Sequence, residues 1–156
     1  MAVIYVVALC AANYSASMFG AGITPVNAFI LIGLDLVLRD KLHDAYGFLG
    51  ACGIAMAASA ISWATNPAAA TIAMASAASF ATASIADGSV YHWLRGESYM
   101  VRSNSSNAAG AIVDSVVFPT IAFGVLMPEI IAAQFLAKCA GGFLWSALLR
   151  KREAVA

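Results

Sequence analysis

The sequence predicts an all-α integral membrane protein: a six-transmembrane-helix bundle with both termini cytoplasmic. Three observations lead there. Of the 156 residues, 62% are hydrophobic and only 10% are charged, against roughly 25% charged in an ordinary soluble domain. The apolar residues gather into six stretches, at 2–19, 25–42, 46–65, 67–93, 107–124 and 128–149, each near the roughly 20 residues that a spanning helix needs. Apart from Lys138, inside the sixth segment, the basic residues fall in or beside alternate connections and at the C-terminus. Because the joining loops are short, residues 1–156 are expected to form a single transmembrane domain, and the bundle itself must carry the function.

Each segment has its own justification. The first is apolar from Ala2 onward and lacks a basic n-region, so it is expected to stay as a helix. Pro25, Pro67 and Pro128 stand where the second, fourth and sixth helices start, at a position whose missing N–H costs nothing. Thr24 and Asn66 precede two of them as capping residues. In the second segment Asp35 and Arg39 sit at i, i+4 spacing, and Arg39 with Asp40 marks the cytoplasmic exit. Gly47, Ala51, Ala55 and Ser59 form a small-residue stripe in the third segment, and Ala69, Ala73, Ala77 and Ala81 form another in the fourth. Such stripes let membrane helices approach closely, so they close the bundle or join two copies of the chain as a homo-oligomer. Pro119, inside the fifth segment, removes the hydrogen bond to the Ser115 carbonyl and bends the helix beside Asp114.

Orientation follows from the positive-inside rule. Arg39 and Lys41 flank the second-to-third connection, Arg95 and Arg102 the fourth-to-fifth, and Arg150, Lys151 and Arg152 the C-terminus. The opposite connections, GAGITP, TNPA and GVLMPE, hold no Lys or Arg. A formal net charge of zero with scattered basic residues argues against a nucleic-acid partner and leaves the lipid bilayer as the evident one. Cys10, Cys52 and Cys139 each stand alone in apolar surroundings, as small core residues do, so neither a disulfide framework nor a metal site is expected. The chain contains no G-x-x-x-x-G-K-[ST], G-x-S-x-G or H-E-x-x-H, and His43 and His92 fall at cytoplasmic helix ends. No enzyme activity, catalytic residue or cofactor is therefore expected.

The informative residues are the polar ones that a bilayer should not tolerate. A charge at the middle of a spanning helix costs roughly 2.5 to 3.5 kcal/mol on the insertion scale. Asn107, Gly110 and Asp114 share one face of the fifth helix, and Gln134 and Lys138 share one face of the sixth. Asp114 lies about 10 Å from Asn107 and Lys138 about 18 Å from Arg150 by helical rise, so both stand well inside the hydrocarbon. They either neutralise each other or serve a ligand as well. On the fourth helix Asp87, Tyr91 and Arg95 are spaced by four; Tyr91 and Arg95 also suit an interfacial belt, whereas Asp87 lies deeper.

With these residues in view, the chain resembles the queuosine precursor transporter family, also called the putative vitamin uptake transporter family. FILIGLDLVLRD (Phe29 to Asp40), SIADGSVYHWLR (Ser84 to Arg95), SNAAGAIVDSVVFPTIAFG (Ser106 to Gly124) and QFLAK (Gln134 to Lys138) are similar to family blocks, in the family's order. Asn27 and Pro119 depart from the pattern, which has a small and an aliphatic residue there. The resemblance implies import of a deazaguanine base, a precursor of queuosine, by a multi-pass protein of the cytoplasmic (inner) membrane. The implied substrate-binding residues are Asp114, Asn107, Gln134, Lys138, Asp87, Tyr91, Phe118 and Arg39. In that reading Asp114 accepts two adjacent N–H donors of a guanine-like edge, Asn107 and Gln134 meet its carbonyl and ring nitrogens, and Tyr91 or Phe118 stacks on the ring. The alternative is a substrate-capturing membrane subunit of a vitamin uptake system energised by a partner ATPase.

The orientation yields a direct test. In a background without native cysteines, a cysteine at Gly22 should react with an impermeant thiol reagent added to intact cells, and one at Ser98 should not. Ready labelling at Ser98 but not at Gly22 would invert the topology.

Overall fold

The computed structural model describes residues 1–66 and 69–153. The expected helix start at Pro67 lies outside the described residues, as do the side chains of Asp40, His43, Arg102, Arg150, Lys151 and Arg152. The chain runs through α1 (Ala2–Phe19), a 3-10 turn (Ala21–Ile23), α2 (Thr24–Asn27), a π-helical turn (Ala28–Ile32), α3 (Gly33–Thr65), α4 (Ala70–Trp93), α5 (Tyr99–Phe123) and α6 (Pro128–Glu153). No strand occurs among the described residues.

The first element has the expected bounds, closed by Gly20 at φ 70. The second and third expected segments follow one another with almost no loop: α3 is two helices that meet at a sharp kink at Gly47 (φ 71, ψ 177), close to the expected break between them. Positive φ is a conformation that only glycine adopts without cost, so Gly47 is the corner of α3 and not the head of a packing stripe. Thr24 also departs from expectation: it makes no capping bond. Its hydroxyl donates to the Ala21 carbonyl at 2.7 Å and accepts from Gln134 Nε2 at 2.8 Å. The fifth helix starts at Tyr99, well before Asn107, because Ser98 caps the Val101 N–H at 3.5 Å and the polar SNSSN run continues the helix.

Polarity is distributed as in a protein solvated by hydrocarbon. Val3, Ile4, Val7, Leu49, Met56, Met74, Ile85, Leu136 and Phe143 are exposed on the outside of the bundle. Asn13, Asp35, Ser62, Ser76, Ser79, Ser115, Gln134 and Lys138 are buried inside it. This is a helical membrane protein. Ala2–Phe19, Ala21–Arg39 and Asn104–Phe123 are long and apolar enough to cross a bilayer, and Leu49–Thr65 is a shorter apolar helix.

Small residues set the packing, though not always those on the four-residue repeat. Ala51, Ala55 and Ala58 of α3 pack with Tyr5 and Leu9 of α1 and with Leu38 and Leu42 of the first half of α3. Ala69, just before α4, and Ala73 on it are buried, but Ala77 is half-buried and Ala81 exposed. A spacing of four overshoots a full turn by about 40° at each step, so the buried face passes instead through Ile72, Ser76, Ser79 and Ala83. Cys10 and Cys52 are half-buried; Cys139 is exposed and not part of the core.

A close backbone approach joins α6 to the π-helical turn and the start of α3. A Cβ on Gly33 would stand 2.6 Å from the Gly141 carbonyl carbon, and one on Gly141 would collide with the Phe29 carbonyl oxygen. Trp145 Nε1 donates to the Ile30 carbonyl at 2.8 Å. A π turn leaves a backbone carbonyl without its usual helical donor, and the indole fills that role here.

This contact is testable by overpacking. Gly141→Ala is expected to destabilise the protein by about 1–3 kcal/mol, read as a lower midpoint of thermal unfolding in detergent. Gly22→Ala, where nothing stands within 4 Å of the added carbon, should leave the midpoint unchanged.

Candidate functional site

Every described helix turns polar side chains toward one interior cavity. It opens to the outside, and the space that the centres of water-sized molecules can occupy in it is about 60 Å³. The lining comes mostly as pairs one turn apart: Leu9 and Asn13 from α1, Thr24 from α2 with Ala28, Asp35 and Arg39 from α3, Ser76 and Phe80 from α4, Asp114 and Phe118 from α5, and Gln134 and Lys138 from α6. Residues i and i+4 stand one above the other on a helix, so a single turn of each helix presents both. Among the described residues, none beyond Gly47 in α3 lines it.

The electrostatic centre is a direct ion pair, Lys138 Nζ to Asp114 Oδ2 at 2.5 Å. Lys138 is 2% exposed, whereas Asp114 keeps 26% of its side-chain surface open. The ammonium group also donates to Ser115 Oγ at 2.9 Å and to Gln134 Oε1 at 3.4 Å. Its three protons thus have three acceptors. The Ser79 hydroxyl donates to the other oxygen of the Asp114 carboxylate. The Gln134 amide, held by Lys138 at its oxygen, donates onward to Thr24. A relay of side chains thereby runs from α2 through α6 to α5 and α4.

Of the eight residues singled out in the sequence, the cavity collects Asp114, Gln134, Lys138, Phe118 and Arg39. Arg39 lies over the Phe80 ring, 5.4 Å from its centroid, and Phe118 meets Phe123 edge-on at 6.4 Å. The other three stand elsewhere. Asn107 is half-buried two turns from Asp114, and Tyr91 is 38% exposed near the end of α4. Asp87 packs beside Gly110 in the contact between α4 and α5, with Oδ1 buried and without a hydrogen-bond partner.

Sequence reading did not assign three lining residues to the site, although it marked Asn27 as a departure from the family pattern. Asn13 and Asn27 are single amides in apolar helices, and nothing in their spacing tells the interior from the lipid face. Asp35 was read as half of a pair with Arg39. In the structure it is 5% exposed, faces Tyr5 of α1, and has Oδ1 without a hydrogen-bond partner. Its place four residues before an arginine in a spanning segment was the available signal. No group of three or more His, Cys, Asp or Glu that could hold a metal ion occurs among the described residues.

A family model described as putative vitamin uptake transporter matches residues 2–149. No curated protein and no solved structure matches the chain.

The ion pair predicts an asymmetry in stability. Lys138→Met alone leaves a buried carboxylate without its partner and is expected to lower unfolding stability by about 3–5 kcal/mol. Adding Asp114→Asn removes the stranded charge and should recover most of that loss. Denaturant or thermal unfolding in detergent reads both. A double variant no more stable than Lys138→Met would show that the pair is not what holds these helices.

Proposed function

The chain belongs to the putative vitamin uptake transporter family, and from that premise we propose that this membrane transporter imports a deazaguanine base, a cyano or aminomethyl precursor of queuosine. The observation that carries the substrate reading is Asp114. Lys138 and Ser79 each take one lone pair of its two oxygens, which leaves further lone pairs on both for a ligand. A guanine-like edge presents two adjacent N–H donors, and one carboxylate accepts both in a bidentate pair. Phe80 and Phe118 line the same cavity and offer ring faces; base stacking on such faces contributes roughly 1 to 3 kcal/mol. In this reading Lys138 does not hold the ligand directly, because its protons are already engaged. It holds and aims the carboxylate.

The proposed topology has six spans and cytoplasmic termini in the cytoplasmic (inner) membrane, with GAGITP facing outward. We read the chain as a carrier and not an enzyme, with a purine-like small molecule and the bilayer as its partners and no nucleic acid. A second copy is a further candidate partner, through the alanine face of α4 that includes exposed Ala81. The family's description as a vitamin transporter also favours a second reading, a substrate-capturing subunit served by a separate ATPase. Uptake into liposomes by the purified chain alone separates the two.

Cells unable to make the queuosine precursor should regain queuosine in transfer RNA when they express this chain and are fed the deazaguanine base, and adenine or riboflavin in excess should compete poorly. The Asp114→Asn, Lys138→Met double variant should fold yet bind the base about 10- to 100-fold more weakly, as expected when buried donors lose their acceptor. Near-normal affinity in the folded double variant would remove Asp114 from the site.

A further inference from the structure

The α1 and α2 wall of the cavity carries two amides whose orientation the hydrogen-bond network settles. Asn27 Nδ2 donates to the Ala12 carbonyl at 3.2 Å and to Ser15 Oγ at 2.7 Å. A backbone carbonyl only accepts, and the Ser15 hydroxyl gives its own proton to Ala12 at 3.1 Å. Both partners therefore require the amide nitrogen on their side. Asn13 Nδ2 donates to Ser62 Oγ at 3.2 Å, and the Ser62 hydroxyl proton goes to the Ala58 carbonyl at 3.0 Å. The same logic turns the nitrogen of Asn13 toward Ser62.

Both side-chain carbonyl oxygens are left over. Neither accepts a hydrogen bond from a described residue, yet neither is sealed away as Asp35 Oδ1 is. Both residues line the cavity and are otherwise buried, with Asn13 2% and Asn27 9% exposed. The wall thus presents two acceptors to the cavity, while Asp114 presents its carboxylate from the α5 and α6 side. A cavity with acceptors on separate walls suits a ligand with N–H donors at more than one edge.

Resting on the base-import reading above, we propose that Asn13 and Asn27 are specificity-determining residues that accept the N–H of the five-membered ring, so that the cavity takes free bases and rejects bases substituted at that nitrogen, nucleosides included. With the pairing-edge donors on Asp114, this N–H is the ring donor that remains on a deazaguanine. A substituent there removes the donor and places carbon against two buried carbonyl oxygens.

The test is a binding series with purified full-length protein in detergent. The probes are 7-deazaguanine, its 9-methyl derivative and 7-deazaguanosine, with riboflavin as an unrelated control. Wild type is expected to prefer 7-deazaguanine to the 9-methyl compound by about tenfold or more, the usual cost of leaving a buried acceptor unpaired. Asn27→Leu and Asn13→Leu, similar in volume but without acceptors, should weaken 7-deazaguanine binding by about tenfold and bring the two ligands close to parity. Equal wild-type affinity for the two, or a preference that survives in both folded variants, overturns this assignment and leaves base import standing. If wild type binds riboflavin and no deazaguanine, base import and this assignment fall together. Should one variant fail to fold, the other still reads the loss of preference, and equal wild-type affinity for the two ligands overturns the assignment without either.

Discussion

An ammonium group carried into a hydrocarbon-spanning bundle must find an acceptor for each of its protons, and Lys138 finds one on its own helix and two on α5. That requirement organises the polar interior. Ser115 and Asp114 are adjacent on α5, so one turn of that helix serves two of the three protons. Gln134, one turn from Lys138 on α6, serves the third, and its amide nitrogen then reaches Thr24. The carboxylate that neutralises the lysine is steadied by Ser79 from α4. A buried pair of this kind is weak evidence for stability; what it secures here is a carboxylate fixed in place while part of its surface opens to a cavity.

How much of this was legible in the sequence depended on how rare the signal is in a membrane helix. Asp114 and Lys138 were legible because a carboxylate or an ammonium group in an apolar run has few benign explanations, and Gln134 followed from its spacing to Lys138. Asn13 was not, because an amide is cheap enough to sit on several faces and only tertiary contacts show which; Asn27 stood out only as a departure from the family pattern, and its contacts with Ala12 and Ser15 are what place it on the cavity wall. Asn107, Asp87 and Tyr91 share helix faces with residues of interest but are displaced along the axis. Helical periodicity reports the face and not the level.

The elements show the same division. The first helix could be bounded by its apolar run and the glycine after it. The start of α5 could not, since SNSSN reads as a loop until the Ser98 cap is seen to hold it. The π turn at Ala28–Ile32 left no trace in an apolar stretch. It depends on Gly141 and Trp145, more than a hundred residues away, which satisfy its backbone.

The contacts of α6 differ in kind on its two sides. Toward α3 and the π turn, main chain lies against main chain at Gly33, Gly141 and Phe29, and nothing there yields without loss of packing. Toward α5, the polar join consists of side-chain tips: one ammonium group, one carboxylate and one hydroxyl. Tips can exchange partners by rotation about single bonds, whereas apposed backbones move only as one body. The bundle therefore has a welded edge and a buttoned edge, and the buttons are the same groups that face the cavity.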